Sequence, residues 1–236
     1  MPTSPEPHSL RERKRRATMV AIEDAATSLV LEHGFDTVTV DEICAAADIS
    51  KRTFFNYVPS KEAAVIGLTP EEVPATESAE FLDAADPDVP RALLKVLLAA
   101  FAAARVADDG QTVMLAHRRR AIFRAHPDLG VARITASSRF QLHLVDLVTR
   151  HFERHPELRR LTSVPAEAEA RACVALVSAS ANLGMSTWLT RESATFADLD
   201  DDCDTALGHL QLLVSSPQSP TPTHAPPHTD PDGSAA

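Results

Sequence analysis

Residues 39–62 read TVDEICAAADISKRTFFNYVPSKE, and this stretch contains two short helical segments separated by a turn. Thr39 and Glu42 have the spacing of a capping box, which predicts that a helix starts directly after Thr39. Ser50 is a favoured N-cap residue and predicts a second helix, which Pro59 ends. Two short helices joined by a tight turn are what a helix-turn-helix needs to place its second helix in the DNA major groove.

The second of these helices carries side chains that can read base pairs. Lys51 and Arg52 can donate to guanine O6 and N7, and Asn56 can pair with adenine. Phe54 and Val58 lie on another side of the helix and predict core positions. Capped short helices are common, so the spacing alone also fits an ordinary helical domain.

The composition indicates an all-α chain without a membrane span. Of 236 residues, 44% are hydrophobic but only 5% are aromatic, which favours helices over strands. No apolar run reaches the length of a membrane helix and no signal-peptide pattern is present, so a cytoplasmic protein is expected. The three cysteines Cys44, Cys173 and Cys203 stand far apart, which argues against a disulfide framework or a zinc knuckle.

Helical periodicity and chain breakers divide the sequence into segments. Helices are predicted near residues 9–33, 40–47, 50–58, 60–69, 90–107, 111–125, 128–154, 165–191 and 196–214. The proline-rich, acidic region 69–90 is interpreted as a linker with a boundary near Pro74. The predicted organisation is a disordered arm (1–8), a helix-turn-helix domain (9–73), a helical ligand-binding and dimerisation domain (74–214) and a disordered tail (215–236).

The net charge of −10 is unfavourable for nucleic acid, but the charge is unevenly distributed. Residues 62–110 hold ten acidic side chains against three basic ones, whereas five bases fall within residues 11–16. That basic run can be a solvated start to the first helix. Beside a helix-turn-helix it also fits an arm that neutralises phosphates.

Three segments, Thr39–Ile43, Ala45–Ser50 and Arg52–Glu62, together resemble the signature of TetR/AcrR-type regulators, over about residues 12–68. The resemblance implies a three-helix DNA-binding head on a helical ligand-binding and dimerisation bundle. It further implies a homodimer on a pseudo-palindromic operator of double-stranded DNA, most often a repressor released by a small-molecule effector. A regulator without such an effector, or an activator, is the alternative.

The resemblance also assigns candidate DNA contacts to this sequence. The candidates are Arg13, Arg16, Thr39, Ser50, Lys51, Arg52, Thr53, Phe55, Asn56, Tyr57 and Lys61. Thr39 and Lys61 are expected at phosphates, and Phe55 and Tyr57 against the sugar-phosphate backbone. Asp48 stands where the family commonly has glycine, and a left-handed turn conformation is expected there.

The C-terminal region loosely resembles the mycofactocin-associated regulators, which favours an apolar or acyl-CoA-like effector. Side chains that can line its cavity are Phe101, Met114, Phe123, Phe140, His143, Asn182, Met185 and Trp188. Arg118, Arg119, Arg120 and Arg124 are interpreted as solvated or paired with acids, with an anionic ligand as the alternative. Segments 165–191 and 196–214 are the predicted dimer interface, through a stripe that includes Ala172, Val174, Val177, Ala181, Gly184 and Trp188; an intrachain bundle fits this pattern equally.

His151 and His155 have a spacing that lets one helix chelate a metal, but the segment is not HExxH and offers no third ligand. No metal or cofactor is therefore predicted. The sequence contains no nucleophile elbow, phosphate loop or carboxylate pair, so a non-enzymatic protein is expected.

Overall fold

A computed structural model describes residues 10–67, 69–105, 107–191 and 195–215. These residues form helices, turns and loops without a strand, which confirms the all-α prediction. Their α-helices are α1 (Leu10–His33), α2 (Val40–Ala46), α3 (Lys51–Tyr57), α4 (Lys61–Ile66), α5 (Ala75–Asp83), α6 (Val89–Ala104), α7 (Asp109–Ala125), α8 (Pro127–Arg154), α9 (Ala166–Trp188) and α10 (Phe196–Ser215). A 3₁₀ turn at Pro156–Leu158 lies between α8 and α9.

The segments predicted to be disordered, 1–8 and 215–236, lie outside the described residues except for Ser215, the last residue of α10. Among the helices that are described, none is both long enough and apolar enough to cross a membrane.

The helix α5 lies within the region 69–90 that the sequence analysis interprets as a linker. Pro74 immediately precedes α5, and Pro90 lies in the first turn of α6. Proline fits these positions because the first turn of a helix leaves its N–H groups without intrahelical partners. Phe81 of α5 is buried in the C-terminal core. The prolines mark the starts of helices here, and the interpretation of the whole region as a linker was wrong.

The head consists of α1–α4, and side-chain caps define the starts of its three short helices, α2, α3 and α4. Thr39 Oγ1 accepts a hydrogen bond from the Glu42 N–H at 3.3 Å, and Glu42 Oε2 accepts one from the Thr39 N–H at 2.7 Å. Ser50 Oγ accepts from the Thr53 N–H at 3.1 Å, and Ser60 caps α4 in the same way. These bonds satisfy N–H groups that a helix start otherwise leaves unpaired.

The core of the head extends into the C-terminal helices. Ile22, Ile43 and Phe54 are fully buried in it, as predicted for Phe54. Ile122 of α7 and Leu129 of α8 belong to the same core. The head therefore packs directly onto α7 and α8.

A second core fills the bundle of α5, α6, α8, α9 and α10. The helices α9 and α10 pack tightly at Gly184, where an added Cβ would lie 2.5 Å from the Cα of Cys203. Of the stripe predicted for the dimer interface, Val174, Val177 and Trp188 are buried in this core. For these residues the intrachain alternative is the observed arrangement, because their side chains fill the space between helices of one chain.

Candidate nucleic-acid interface and effector cavity

The helix α3 presents a polar face to solvent. Lys51, Arg52, Phe55 and Asn56 are exposed, whereas Phe54 is completely buried and anchors the helix to the head. The outward side chains therefore have a direction fixed by packing on the opposite side. They include the residue types that hydrogen-bond to phosphates and to base edges in the major groove.

The two cations of this face differ in their surroundings. Lys51 Nζ lies 2.8 Å from Asp41 Oδ1 of α2, and both side chains are more than half exposed. Such an exposed ion pair is weak and can exchange for a phosphate contact. Arg52 makes no ion pair or hydrogen bond with another residue of the described chain. The guanidinium of Arg52 is thus available to a ligand.

The polar side chains that flank α3 already serve as caps. Ser50 Oγ lies 2.8 Å from Thr53 Oγ1, in addition to capping α3. The backbone and hydroxyl hydrogen bonds that Thr39 donates to the Glu42 carboxylate lower the pKa of that carboxylate. DNA contacts by Thr39, Ser50 and Thr53 remain predictions. The hydrogen bonds described here hold the three hydroxyls in fixed orientations.

Between the head's first two helices and α4, Lys61 forms a bridge. Its ammonium donates to the carbonyls of Phe35 at 2.6 Å and Val38 at 2.7 Å, and lies 4.2 Å from the centre of the Phe35 ring. An ammonium has three donors, so one remains for the predicted phosphate contact. The position of Lys61 is therefore set by the α1–α2 loop.

The remaining candidate contacts surround this face. Arg13 is exposed and Arg16 is half-buried at the start of α1. Phe55 is 54% exposed and meets Phe54 edge-on, with ring centres 5.2 Å apart. Tyr57 is half-buried against the core of the head. Their DNA contacts stay predictions.

The turn before α3 contains Asp48 with φ +52°. This is the left-handed conformation expected from its place in the motif, and aspartate tolerates it better than most residues with a side chain. Asp48 is exposed beside the polar face of α3. Its carboxylate consequently adds negative charge where DNA would approach.

A cavity of about 790 Å³ lies between α6, α7, α8, α9 and α10. Of the eight predicted ligand residues, five line it: Phe101, Phe123, Asn182, Met185 and Trp188. The other three, Met114, Phe140 and His143, are not among the lining residues. Phe140 is buried behind Phe101, which it meets edge-on at 6.2 Å. Helical spacing groups residues on a face but cannot separate a cavity wall from the layer behind it.

Two arginines of α7 connect the cavity region with the head. Arg118 Nη1 lies 2.7 Å from Asp24 Oδ1 of α1 and 3.2 Å from the Asp24 carbonyl. Arg119 lines the cavity, donates from Nε to the Val65 carbonyl of α4 at 3.0 Å, and places Nη2 3.1 Å from the buried carboxylate of Glu23. The acid-paired interpretation therefore holds for Arg118 and Arg119.

Other arginines line the cavity on the same side. Arg133 of α8 donates from Nη1 to the Ile66 carbonyl at 3.0 Å. Burial, and next the charge of Arg119, lower the pKa of Arg133 to about 10. Arg120 and Arg124 of α7 also line the cavity, and neither has a hydrogen bond or ion pair with another described residue. Sequence reasoning missed Arg133 and Glu23, because no local motif marks them.

His151 and His155 lie together, with ring centres 4.9 Å apart. His151 is buried, and burial lowers the pKa of its ring, with the charge of His155 as the second cause. Within the described residues, no group of three or more His, Cys, Asp or Glu side chains is placed to hold a metal ion. The pair packs between α5 and α8, where His155 Nε2 lies 3.0 Å from the Leu82 carbonyl.

Comparisons with known proteins agree with the helix-turn-helix and the helical fold described above. Residues 22–65 match the family model of bacterial regulatory proteins, tetR family. The chain is also 32% identical over 145 residues to MftR of Mycobacterium tuberculosis, named as a mycofactocin biosynthesis transcriptional regulator. This match covers 61% of the chain and 71% of MftR. The chain belongs to the TetR family.

Two further matches agree with this TetR-family assignment. The chain is 37% identical over 68 residues to TcmR of Streptomyces glaucescens, named as an HTH-type transcriptional regulator, which covers 29% of each protein. A crystal structure of a Syntrophomonas wolfei protein described as a TetR-family transcriptional regulator superposes with a TM-score of 0.50 at 15% identity. The superposition covers 86% of this chain and 96% of that one and shows the shared fold. The chain is thus a transcriptional regulator with a DNA-binding helix-turn-helix.

Proposed function

We propose that this TetR-family regulator is a repressor that binds a pseudo-palindromic operator as a homodimer and leaves it when a small molecule fills the cavity. The observation that carries the proposal is the position of Arg119. One side of this arginine lines the cavity, and its Nε holds a carbonyl of α4 in the head. A ligand that moves Arg119 therefore acts on the head. The working compartment is the cytoplasm, where the operator lies.

On DNA, the exposed face of α3 enters the major groove. Arg52 and Asn56 read base edges, while Lys51 exchanges its exposed contact with Asp41 for a phosphate. Arg13 and Arg16 at the start of α1 add backbone contacts. Two heads on a symmetric dimer meet two half-sites one helical turn or a multiple of it apart, which is why the operator is a pseudo-palindrome.

The experiment is fluorescence anisotropy with labelled fragments of the protein's own promoter region over a series of salt concentrations. We expect tight binding that weakens steeply with salt, because phosphate contacts release counterions. Arg52→Ala should weaken operator binding by about tenfold or more and relax the preference for operator over random DNA. Arg139→Ala, which removes an exposed arginine of α8, is the matched control and should bind like the unchanged protein.

Three outcomes contradict parts of the proposal. Equal weakening by the Arg52 and Arg139 substitutions would mean that α3 does not read the operator. If the protein increased transcription from a promoter with its operator in a reporter strain, it would be an activator and not a repressor. Operator binding that resists every small molecule tested would favour the regulator without an effector.

The dimer is proposed from the outer face of α9. Ala172, Ala175, Ala179 and Leu183 are exposed at intervals of three or four residues, so they form one stripe of small and apolar side chains. Such a stripe lets a second copy approach closely across a two-fold axis. Ala179→Arg should raise the dimer dissociation constant in sedimentation equilibrium, whereas Ala136→Arg on the exposed side of α8 should not. An unchanged dimer with Ala179→Arg would place the interface elsewhere.

A further inference from the structure

Of the five arginines among the described residues that line the cavity, four lie on one side; the fifth, Arg105, pairs with Asp109 and lies 4.5 Å from the centre of the Phe196 ring. Phe101, Met185, Trp188 and Leu199 form an apolar part from α6, α9 and α10. The part formed by α7 and α8 contains the arginines at positions 119, 120, 124 and 133. Glu23 is the one acidic residue among the described residues that line the cavity. A cavity with one apolar side and several cations on the other fits a ligand that is itself divided in this way.

Part of the arginine side has unused hydrogen-bonding capacity. Arg120 and Arg124 are one helical turn apart, and neither has an ion pair or hydrogen bond with another residue of the described chain. Nη2 of Arg119 is buried and forms an ion pair with Glu23 Oε2 at 3.1 Å, but this contact lacks hydrogen-bond geometry. A buried donor is normally hydrogen-bonded, so the position of Arg119 Nη2 at a cavity points to a ligand that accepts hydrogen bonds. Arg120, which is half-buried, and Arg124, which is exposed, offer further donors beside it.

The electrostatics of the same side favour an anion. The lowered pKa of Arg133 has burial as its main cause and repulsion from Arg119 as the next. The charge of Glu23 opposes this shift, and a carboxylate or phosphate placed between these guanidinium groups would offset it further. Guanidinium also offers paired N–H donors that match the oxygens of carboxylate and phosphate groups.

We propose that the cavity binds an amphipathic anion, whose carboxylate or phosphate lies at Arg119, Arg120 and Arg124 and whose apolar part lies against Phe101, Met185 and Trp188. This inference rests on the proposed function in taking the cavity as the effector site. A neutral ligand of the same shape would leave the charges of Arg120 and Arg124 without an anionic partner. A cationic ligand would add to the repulsion.

The position of the acid group also gives the ligand access to the head. Arg119 and Arg133 donate to the carbonyls of Val65 and Ile66, the last two residues of α4. The carbonyls at a helix end depend on such partners from outside the helix. An anion competes with them for the two guanidinium groups, and α4 then loses two of its attachments to α7 and α8. Gly67 permits the close approach, since a Cβ there would lie 2.3 Å from Arg119 Nη2.

The test uses Trp188, the single tryptophan of the chain, which lines the cavity and is 1% exposed. Its fluorescence is followed while the full-length protein, without DNA, is titrated with decanoate, decyl phosphate or decanol. The three probes share one alkyl chain and differ in the head group. We expect both anions to bind about tenfold or more tightly than decanol, because each charged hydrogen bond contributes more than a neutral one. Comparison of the two anions distinguishes carboxylate from phosphate recognition.

The variant Arg120→Gln/Arg124→Gln should lose about tenfold or more in affinity for the anions and keep its affinity for decanol. Lys95→Gln/Arg139→Gln is the matched control, since it removes two exposed cations outside the cavity wall. Circular dichroism of each variant verifies that it remains folded.

Equal affinity for decanol and the anions, or an unchanged anion affinity in the Arg120/Arg124 variant, would overturn the inference. Because the titration contains no DNA, a chain that failed to bind any operator would leave a positive result intact. Conversely, if the protein bound its operator but showed no preference for the anions, the proposed ligand class would be wrong and the proposed function would stand.

Discussion

The head and the C-terminal helices differ in one respect: the caps that start the head's short helices join near neighbours in the sequence, whereas the contacts that join the C-terminal helices span long distances along the chain. In the head, Thr39 pairs with Glu42 and Ser50 with Thr53, three residues apart in each case. Among the C-terminal helices, Gly184 lets α9 pack closely against Cys203 of α10, and Arg118 and Arg119 of α7 contact α1 and α4 of the head. A contact between neighbours in sequence leaves a readable pattern, whereas a contact between distant helices leaves none until the fold is known.

The caps of the head and the buried contacts of the bundle should also differ in how much they contribute to the free energy of unfolding. The caps of the head are exposed and each satisfies one or two N–H groups. The bundle depends on buried sites. Removal of a buried carboxylate there leaves its partners without an acceptor, and a methyl group added at a tight helix contact collides with backbone atoms. Loss of one of these bundle contacts should therefore destabilise the protein more than loss of one cap of the head, as measured by urea denaturation at one protein concentration.

The largest effect is expected for Glu169→Ala at the start of α9. Glu169 is buried, and its carboxylate accepts hydrogen bonds from Arg159 Nε at 3.0 Å and from the N–H groups of Arg160 at 2.6 Å and Leu161 at 3.0 Å. Its removal leaves a largely buried guanidinium and two amides without their acceptor. We expect the free energy of unfolding to fall by about 3–5 kcal/mol, as when one partner of a buried ion pair is removed.

Glu167→Ala is the control for this prediction, because Glu167 forms an exposed ion pair with Arg171 one turn away at 2.6 Å. Its loss should change the free energy of unfolding by no more than about 0.5 kcal/mol. Similar values for the two glutamates would contradict the claim that the buried carboxylate stabilises the turn between α8 and α9.

A smaller loss is expected for Gly184→Ala. The new methyl group would lie 2.5 Å from Cys203 Cα and 2.6 Å from its N, and backbone atoms cannot rotate away. The two helices must separate, so the free energy of unfolding should fall by about 2–3 kcal/mol. Gly208→Ala in α10 is the matched control, since nothing lies within 4 Å of its added Cβ. That control should stabilise the protein by about 0.5–1 kcal/mol through helix propensity. Stabilisation by both substitutions would show that the helices adapt.

In the head, Thr39→Ala removes the capping box of α2. The N–H of Glu42 loses its acceptor, and the Thr39 hydroxyl no longer orients the Glu42 carboxylate. The free energy of unfolding should fall by about 1 kcal/mol. Thr37→Ala, an exposed threonine of the same loop, is the control and should have no effect. A fall of several kcal/mol for Thr39→Ala would mean that the head depends on this cap more than the bundle depends on Gly184.

Acid should reduce the difference in stability between the unchanged protein and Thr39→Ala. The hydrogen bonds from Thr39 hold the pKa of Glu42 below its ordinary value in the folded state. A lowered pKa in the folded state contributes stability above the unfolded-state pKa, and this contribution is lost as the pH falls through the folded-state value. In Thr39→Ala the hydroxyl's part of the contribution is missing at every pH. Urea midpoints of the unchanged protein and Thr39→Ala should therefore converge as the pH falls below the ordinary pKa of glutamate.

The sequence alone predicted most of the head and only part of the cavity, for the same physical reason. Thr39, Ser50 and Pro59 mark helix boundaries through their own backbone chemistry. By contrast, helical periodicity could not place Phe140 behind Phe101, and no local pattern announces that Arg133 and Glu23 meet the same cavity. The helix α5 was missed because the sequence alone does not distinguish a proline that begins a helix from a proline that ends one.

The smallest effect on stability, and the sharpest test of the head, is expected at Asp48. Its φ of +52° favours glycine, whereas its carboxylate repels phosphate from the neighbouring face of α3. Asp48→Gly relieves the backbone but also loosens the unfolded chain, so the free energy of unfolding should change by less than about 1 kcal/mol. Asp48→Asn keeps a side chain that tolerates this backbone conformation and removes only the charge. If charge decides, both variants should raise operator affinity equally in anisotropy titrations, and the gain should shrink as salt screens it. A gain confined to Asp48→Gly would instead show that backbone freedom in the turn limits how α3 fits its groove.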